Sequence, residues 1–493
     1  MTVRRLLLLL ALALALVVSA VVYRAAFPGA AAQRVAATPL PALGFDRDAA
    51  VARFAAGLRI PTISWGRGGV LDAEAFGGLR EHLRASFPLV HSALEVEYVN
   101  EWTLLLTWRG SDAALDPLVL MAHQDVVPIV EESREDWVQP PFSGAVEEGT
   151  VWGRGALDDK ASLFAILEAT EVLLREGFAP TRSVILLFGH DEEIGGGQGA
   201  GAAAALLVER GIRPFMVLDE GGGVTQGILP GIDFPVALVG VAEKGFATLE
   251  LVVRGAGGHS SMPPKDPAIA VLGGALRRLQ DHPLPTHFDG FPTALVESIS
   301  PRLPFGYRVV TENLWLFESV LEFGFAQVPS AAAMLRTTTA PTMLRGGVKE
   351  NVLPSEVAAT VNFRVHPADL AADVVLHARE AIDDERVEIR PSTTLDPSPV
   401  APAHGAGWEV LYASIEANFP DASISPYLIV GGTDARYFRR QEIPSYGFLP
   451  VMLDGEATRI IHGVNERLPV RDFEIAIGFY ADVLRRGSIA PGP

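Results

Sequence analysis

The stretch that most constrains this chain is residues 118–223, where apolar strand-like runs end again and again in acids, histidine and glycine. The run 118–122 delivers His123-Gln124-Asp125. The run 151–157 leads into Asp158-Asp159-Lys160 and then into residues of helical period, with apolar residues at Leu163, Ile166, Leu167, Val172 and Leu173. The run 183–188 ends in Gly189-His190-Asp191-Glu192-Glu193, and 215–218 ends in Asp219-Glu220 and three glycines. Strands alternating with helices predict an α/β sheet, and in such sheets ligand sites collect where strands end and the chain turns. Carboxylates gathered at one edge repel each other unless a cation sits between them. A metal site is therefore expected at this edge.

A chain of 493 residues exceeds one ordinary core, so at least two domains are expected. The net charge of -19 leaves no basic surplus to neutralise phosphates, which argues against nucleic acid as a partner. With no cysteine in the chain, thiolate sites and disulfides are excluded, and a metal must be held by His, Asp or Glu. At the N-terminus, Arg4-Arg5 precedes an apolar run over 6–22 and Arg24 follows it. The length suits either an uncleaved membrane anchor or a signal peptide cut near Val18-Ser19-Ala20. Both readings put the bulk of the protein outside the cytoplasm, exported or anchored.

Read in order, residues 1–24 form the signal or anchor and 25–44 an Ala/Pro-rich linker. Residues 45–244 carry the acidic strand ends. At Lys244 the texture changes, and 245–393 read as an inserted α+β unit: strand 246–253, a glycine-rich turn with His259, helix 267–279, strands 347–353 and 356–364, helix 370–382 and strand 387–390. Within it, 283–345 are rich in Pro and Phe and poorly periodic. Residues 394–493 return to α/β texture, with helix 407–419, the loop Gly431-Gly432-Thr433-Asp434, His462 and helix 472–486.

His123-Gln124-Asp125, the run Gly153-Arg154-Gly155-Ala156-Leu157-Asp158-Asp159-Lys160, Asp191-Glu192-Glu193, Leu218-Asp219-Glu220 and Gly257-Gly258-His259-Ser260 together resemble the ordered motifs of metallopeptidase family twenty. That family comprises dinuclear zinc exopeptidases and aminoacylases. The string 189–194 with Gln198-Gly199-Ala200 is similar to the carboxypeptidase S branch, which includes N-acyl-amino-acid hydrolases. The resemblance implies a zinc-exopeptidase-like catalytic domain, a mixed sheet flanked by helices, with an inserted lid domain through which a homodimer can form. It implies two Zn2+ ions, replaceable by Co2+ or Mn2+, with Asp158 bridging, His123 and Asp219 on one ion and Glu193 and His462 on the other. It also implies a cis peptide between Asp158 and Asp159.

The residue chemistry agrees with these roles. Asp125, two residues after His123, can orient the imidazole. Glu192 neighbours a ligand yet points elsewhere, as a general base toward water held between the ions must. His259 matches the family's stabiliser of the tetrahedral oxyanion. Arg364 and Asn351, with Gly432 and Thr433, resemble binders of a substrate carboxylate, for which an arginine fork is suited. The substrate implied is a small peptide or an N-acyl amino acid, cut by a hydroxide bridging the ions. The aromatic segment 283–345 raises two readings: an apolar wall for fatty-acyl groups, or ordinary lid packing.

Other classes stay open at this point. A peptide-binding protein could keep the fold without chemistry, and related esters or amidines could be cut at the same geometry. A membrane-proximal scaffold would require that no metal binds. Two lookalikes fail: Gly197-Gln198-Gly199 with Gly201 follows acids that would repel a pyrophosphate, and no Gly-x-Ser-x-Gly exists for a serine hydrolase.

Overall fold

The computed structural model describes residues 3–28, 40–66, 69–228 and 231–489, so most of the expected linker lies outside the described residues. The described chain divides into two units. One comprises 33–241, 401–427 and 433–493; the other comprises 1–32, 242–400 and 428–432.

The first unit is built on an eight-stranded mixed sheet. Its order is Glu95–Val99, Thr103–Trp108, Val184–Gly189, Leu118–His123, Met216–Thr225, Ser445–Leu453, Val236–Glu243 and Ser423–Ile429. Leu118–His123 runs parallel to both of its neighbours, and Ser445–Leu453 runs parallel to Met216–Thr225. All six residues of Leu118–His123 and of Val184–Gly189 are buried, as central parallel strands covered on both faces must be. On one face, Ala200, Ala203 and Leu207 of the helix Ala200–Glu209 pack on Leu105, Val119, Ile185 and Val217. The helices Lys160–Arg175 and Val470–Gly487 pack against each other, and Lys160–Arg175 also contacts Leu118–His123. Pairing of His123 with Gly189 brings the ends of two parallel strands level, so the residues that follow them share one edge.

The second unit has a four-stranded antiparallel sheet, ordered Thr338–Gly346, Glu356–Val365, Gly245–Arg254 and Val387–Leu395. Leu249, Leu251, Val253, Val361 and Phe363 form its core with the helices Ala268–Asp281 and Ala371–Ile382. One sequence expectation fails here. The strand expected over 347–353 is instead Thr338–Gly346, followed by a turn and the two-residue strand Val352–Leu353. Pro341 disguised it: the strand tolerates this proline because it lies at the sheet edge and the register shifts between Pro341 and Met343. The segment 283–345, which lacked clear periodicity, forms four helices, Phe291–Ile299, Phe305–Thr311, Leu314–Ala326 and Pro329–Leu335. Pro292 and Pro329 lie in first turns, where a missing N–H costs nothing. Of its aromatic residues, Phe288 joins a small core with Val296 and Leu335, and its ring meets Phe325 edge-on at 5.4 Å. Phe305, Trp315 and Phe323 stay exposed.

Candidate metal centre and active site

His123 ends a buried strand, and only 1% of it is accessible. Its Nδ1 donates to the carbonyl of Asp125 at 2.9 Å, which turns Nε2 toward the strand edge. There Nε2 lies 2.9 Å from Asp158 Oδ1 and 3.6 Å from Glu220 Oε1. The other oxygen of Asp158 lies 2.8 Å from His462 Nε2, which is 3.3 Å from Glu193 Oε2. Two groups of ligand atoms thus form, His123–Asp158–Glu220 and Asp158–Glu193–His462, each with all atoms within 4.8 Å. One carboxylate belongs to both.

The local backbone explains this convergence. Asp158 and Asp159 are joined by a cis peptide, as the resemblance implied. Glu466 Oε1 accepts the N–H groups of Leu157 at 2.8 Å and Asp158 at 3.1 Å, and its Oε2 accepts from Arg154 Nη1 at 2.5 Å. Arg154 Nη2 donates to the carbonyl of His462 at 3.0 Å. His462 sits at φ +59°, a left-handed conformation rare outside glycine, and this bond helps to hold it there. Glu192 and Glu193 open a short helical turn, with both backbone N–H groups directed at the Asp125 carboxylate. Asp191 accepts from Gln198 N and Gly199 N, closing the loop beyond. Gly196, at φ +62°, is required there: a Cβ would come within 1.8 Å of Asp434 Oδ1.

The electrostatics are those of a cation site. Burial pushes the Asp158 carboxyl up, but hydrogen bonds from His123 and His462 outweigh it and hold the group well below the usual carboxylate range. The Asp158 and Glu193 carboxylates push His462 up to about 10. Burial, with neighbouring acids, pushes Glu192 and Glu220 well above their ordinary range. Asp158 is the leading charge acting on Glu220 and Asp434 on Glu192. Clustered acids that draw protons onto neighbouring groups would equally take a metal cation. Glu193 Oε1 is buried without a hydrogen-bond partner, a lone pair that a metal would satisfy. The donor set, imidazole and carboxylate, fits divalent metals of the zinc type.

Asp219, expected as a ligand, accepts the N–H of Ala435 through Oδ2 at 2.7 Å, and the adjacent Glu220 is the acid grouped with His123 and Asp158. Successive strand residues point to opposite faces, so only one of the pair can reach the edge. Sequence reasoning also missed Arg154, Glu466 and Asp434 as supports of the site. The only sequence signals were charges inside otherwise matched motifs.

The remaining expected residues divide between the two units. Thr433 is buried in the unit that holds the metal ligands. His259, Asn351, Arg364 and Gly432 belong to the other unit. His259 is exposed on the short strand Gly258–His259, paired with Val352, and its Nδ1 lies 2.8 Å from Ser261 Oγ. Asn351 is its neighbour, since the N–H of Ser260 donates to the Asn351 carbonyl at 3.1 Å. Asn351 Oδ1 is buried without a partner. Arg364 is exposed on the strand Glu356–Val365, opposite Phe246.

Residues 119–486 match the family described as Peptidase family M20/M25/M40. The N-fatty-acyl-amino acid synthase/hydrolase PM20D1 of Xenopus tropicalis is 39% identical over 432 residues, covering 87% of this chain and 84% of that protein. Carboxypeptidase S of Saccharomyces cerevisiae is 32% identical over 457 residues, covering 82% and 77%. Among solved structures, the M20 family metallo-carboxypeptidase Sso-CP2 of Sulfolobus solfataricus superposes with a TM-score of 0.65 at 18% identity, covering 88% of this chain and 98% of that one. The chain is therefore a member of peptidase family M20/M25/M40, the metal-dependent hydrolases of peptide and related amide bonds.

Proposed function

We propose that the protein is a dinuclear zinc hydrolase that cuts the amide bond of N-acyl amino acids or of peptides at a residue bearing a free carboxylate. The observation that carries this reading is the sharing of Asp158 between the two ligand groups. His123, Asp158 and Glu220 would hold one ion, and Asp158, Glu193 and His462 the other. Bound there, the ions would supply Lewis acidity toward the scissile carbonyl and lower the pKa of attacking water toward about 7.

The chain's own groups supply the rest. Glu192 takes a proton from the water as its oxygen bonds to the carbonyl carbon, and passes it to the nitrogen as the C–N bond breaks. Asp125 keeps His123 and the turn bearing both glutamates in register. His259 donates to the oxygen on which charge develops. Arg364 and Asn351, with Gly432 and Thr433, bind the substrate carboxylate. The similarity to proteins named for fatty-acyl amino acids and for carboxypeptidase activity supports both substrate classes. The one described helix long and apolar enough to cross a membrane, Val3–Ala26, supports anchorage or export through the N-terminus.

Metal content and hydrolysis of a panel of N-acyl amino acids and dipeptides test this, in the wild type and Glu192→Gln. Two metals per chain in both, with turnover only in the wild type, is the expected result. No bound metal after reconstitution would overturn it.

A further inference from the structure

The helix Val3–Ala26 is joined to the folded part of its unit. It packs on the helix Phe305–Thr311, and Val21 and Ala25 are buried. The buried Asn313 donates Nδ2 to the Val21 carbonyl at 3.2 Å and to the Val309 carbonyl at 3.0 Å, while its Oδ1 accepts from Trp315 Nε1 at 3.3 Å. The rest of the N-terminal helix is exposed, and the helix is apolar enough to cross a membrane. Twenty-four residues span about 36 Å at ~1.5 Å per residue, enough for a hydrocarbon core of about 30 Å. Arg4 and Arg5 mark the cytoplasmic end. The Asn313 contact therefore lies at the opposite end of the apolar run, level with the outer boundary of the bilayer.

The helix Leu314–Ala326 starts at that level. It carries Trp315, Leu316, Val320 and Phe323, which are 56%, 48%, 59% and 69% exposed. Their spacing places them on one helical face. No residue of this helix is fully buried. Tyr23 and Phe27, with ring centroids 5.1 Å apart, and the exposed Tyr307 add aromatic groups of the kind that settle at the membrane–water boundary. Four large apolar side chains on thirteen residues form a patch that water does not favour. Its charges are Glu318 and Glu322 alone, so attraction to anionic headgroups is not what covers it.

We propose that Leu314–Ala326 is an interfacial helix, laid in the headgroup–acyl boundary of the bilayer that Val3–Ala26 spans. The unit is then fixed to the membrane at two points, and its orientation to the surface is set. This rests on the N-terminal helix being a retained anchor, not on the proposed chemistry. A signal cut near Ala20 would instead remove the apolar span that precedes Val21 and leave no transmembrane anchor beside the helix Leu314–Ala326.

Because the chain contains no cysteine, Phe323→Cys and Leu376→Cys each create one thiol for a nitroxide label. Leu376, 55% exposed on Ala371–Ile382, is the reference. The full chain is placed in phosphatidylcholine nanodiscs, and collision with oxygen is compared with collision with an aqueous nickel complex. The expected oxygen-to-nickel ratio is several-fold higher at 323 than at 376, and Val320→Cys repeats the reading if the first variant misfolds. Equal ratios would overturn the proposal. So would spin–spin broadening at 323, which would assign the face to a second copy, or membrane-isolated chains that begin at or beyond Val21. Hydrolysis of a short soluble substrate by the same samples reads the catalytic proposal separately.

Discussion

The backbone N–H of Glu192 donates to Asp125 Oδ1 at 3.2 Å. The other oxygen accepts the N–H of Glu193 at 3.2 Å and Ser64 Oγ at 2.7 Å, while the carbonyl of Asp125 receives His123 Nδ1. One residue thus positions the imidazole proposed to hold metal and the turn that carries both glutamates. Asp125→Asn replaces an acceptor with an NH2 that opposes these donors. Metal affinity should fall by about 10–100-fold, the usual effect of losing such a supporting partner. Competition with a chromogenic chelator measures it, and unchanged affinity would remove Asp125 from this role.

Asp219 and Glu220 allow a direct choice between neighbours. Glu220→Gln should lower metal content toward one ion per chain, because Glu220 Oε1 shares a ligand group with His123 and Asp158. Asp219→Asn should retain two, since an amide oxygen can still accept from Ala435 N–H. Elemental analysis of the two purified variants decides; the reverse pattern would restore Asp219 as the ligand.

How much of this was legible beforehand depended on sequence distance. His123, Asp158, Glu193 and His462, which the structure brings into two groups, each end a strand or sit in a local motif that the sequence displays. Asp219 could not be told from Glu220, because strand parity at a sheet edge is fixed by register and not by the residues themselves. Arg154 and Glu466 lie 312 positions apart, and nothing in either neighbourhood reports that they meet. The helices of 283–345 were hidden because Phe and Pro distribute on all sides of short helices, two of which keep only part of their apolar surface buried. Propensity says least where burial is divided in this way.

The Arg154–Glu466 pair makes a stability prediction. Their charged groups are 3% and 0% exposed and 2.5 Å apart. Glu466→Gln keeps an oxygen for Leu157 and Asp158 N–H but strands the guanidinium charge in the interior. Removing one partner of a buried pair typically costs about 3–5 kcal/mol. Denaturant unfolding of metal-free protein should show this loss, and adding Arg154→Met to the same chain should recover part of it. A loss below about 1 kcal/mol, the range of exposed pairs, would show that the pair is solvated.

The last prediction concerns acid. In the inserted unit, His366 stacks on His287 with ring centroids 5.0 Å apart, and its Nδ1 accepts from Ala368 N–H at 3.1 Å. Burial, then the neighbouring His287 and Lys244, push its pKa down from 6.5 to about 4, with Asp369 opposing. The unfolded chain therefore binds a proton near pH 6.5 that the folded chain refuses until about pH 4, and stability is lost as pH falls across that window. Lys244 is also depressed, from 10.5 to about 7, by burial first and by Arg364 second. Its contribution is spent above pH 7, so it does not blur the lower window. The His366 term is at most about 3 kcal/mol, at ~1.4 kcal/mol per pKa unit. Urea unfolding between pH 7 and pH 4, followed through the inserted unit, should steepen in the wild type. His366→Asn, which keeps an acceptor for Ala368 N–H but cannot titrate, should flatten that part of the slope. An identical pH profile for the two proteins would show that His366 is not the group that titrates.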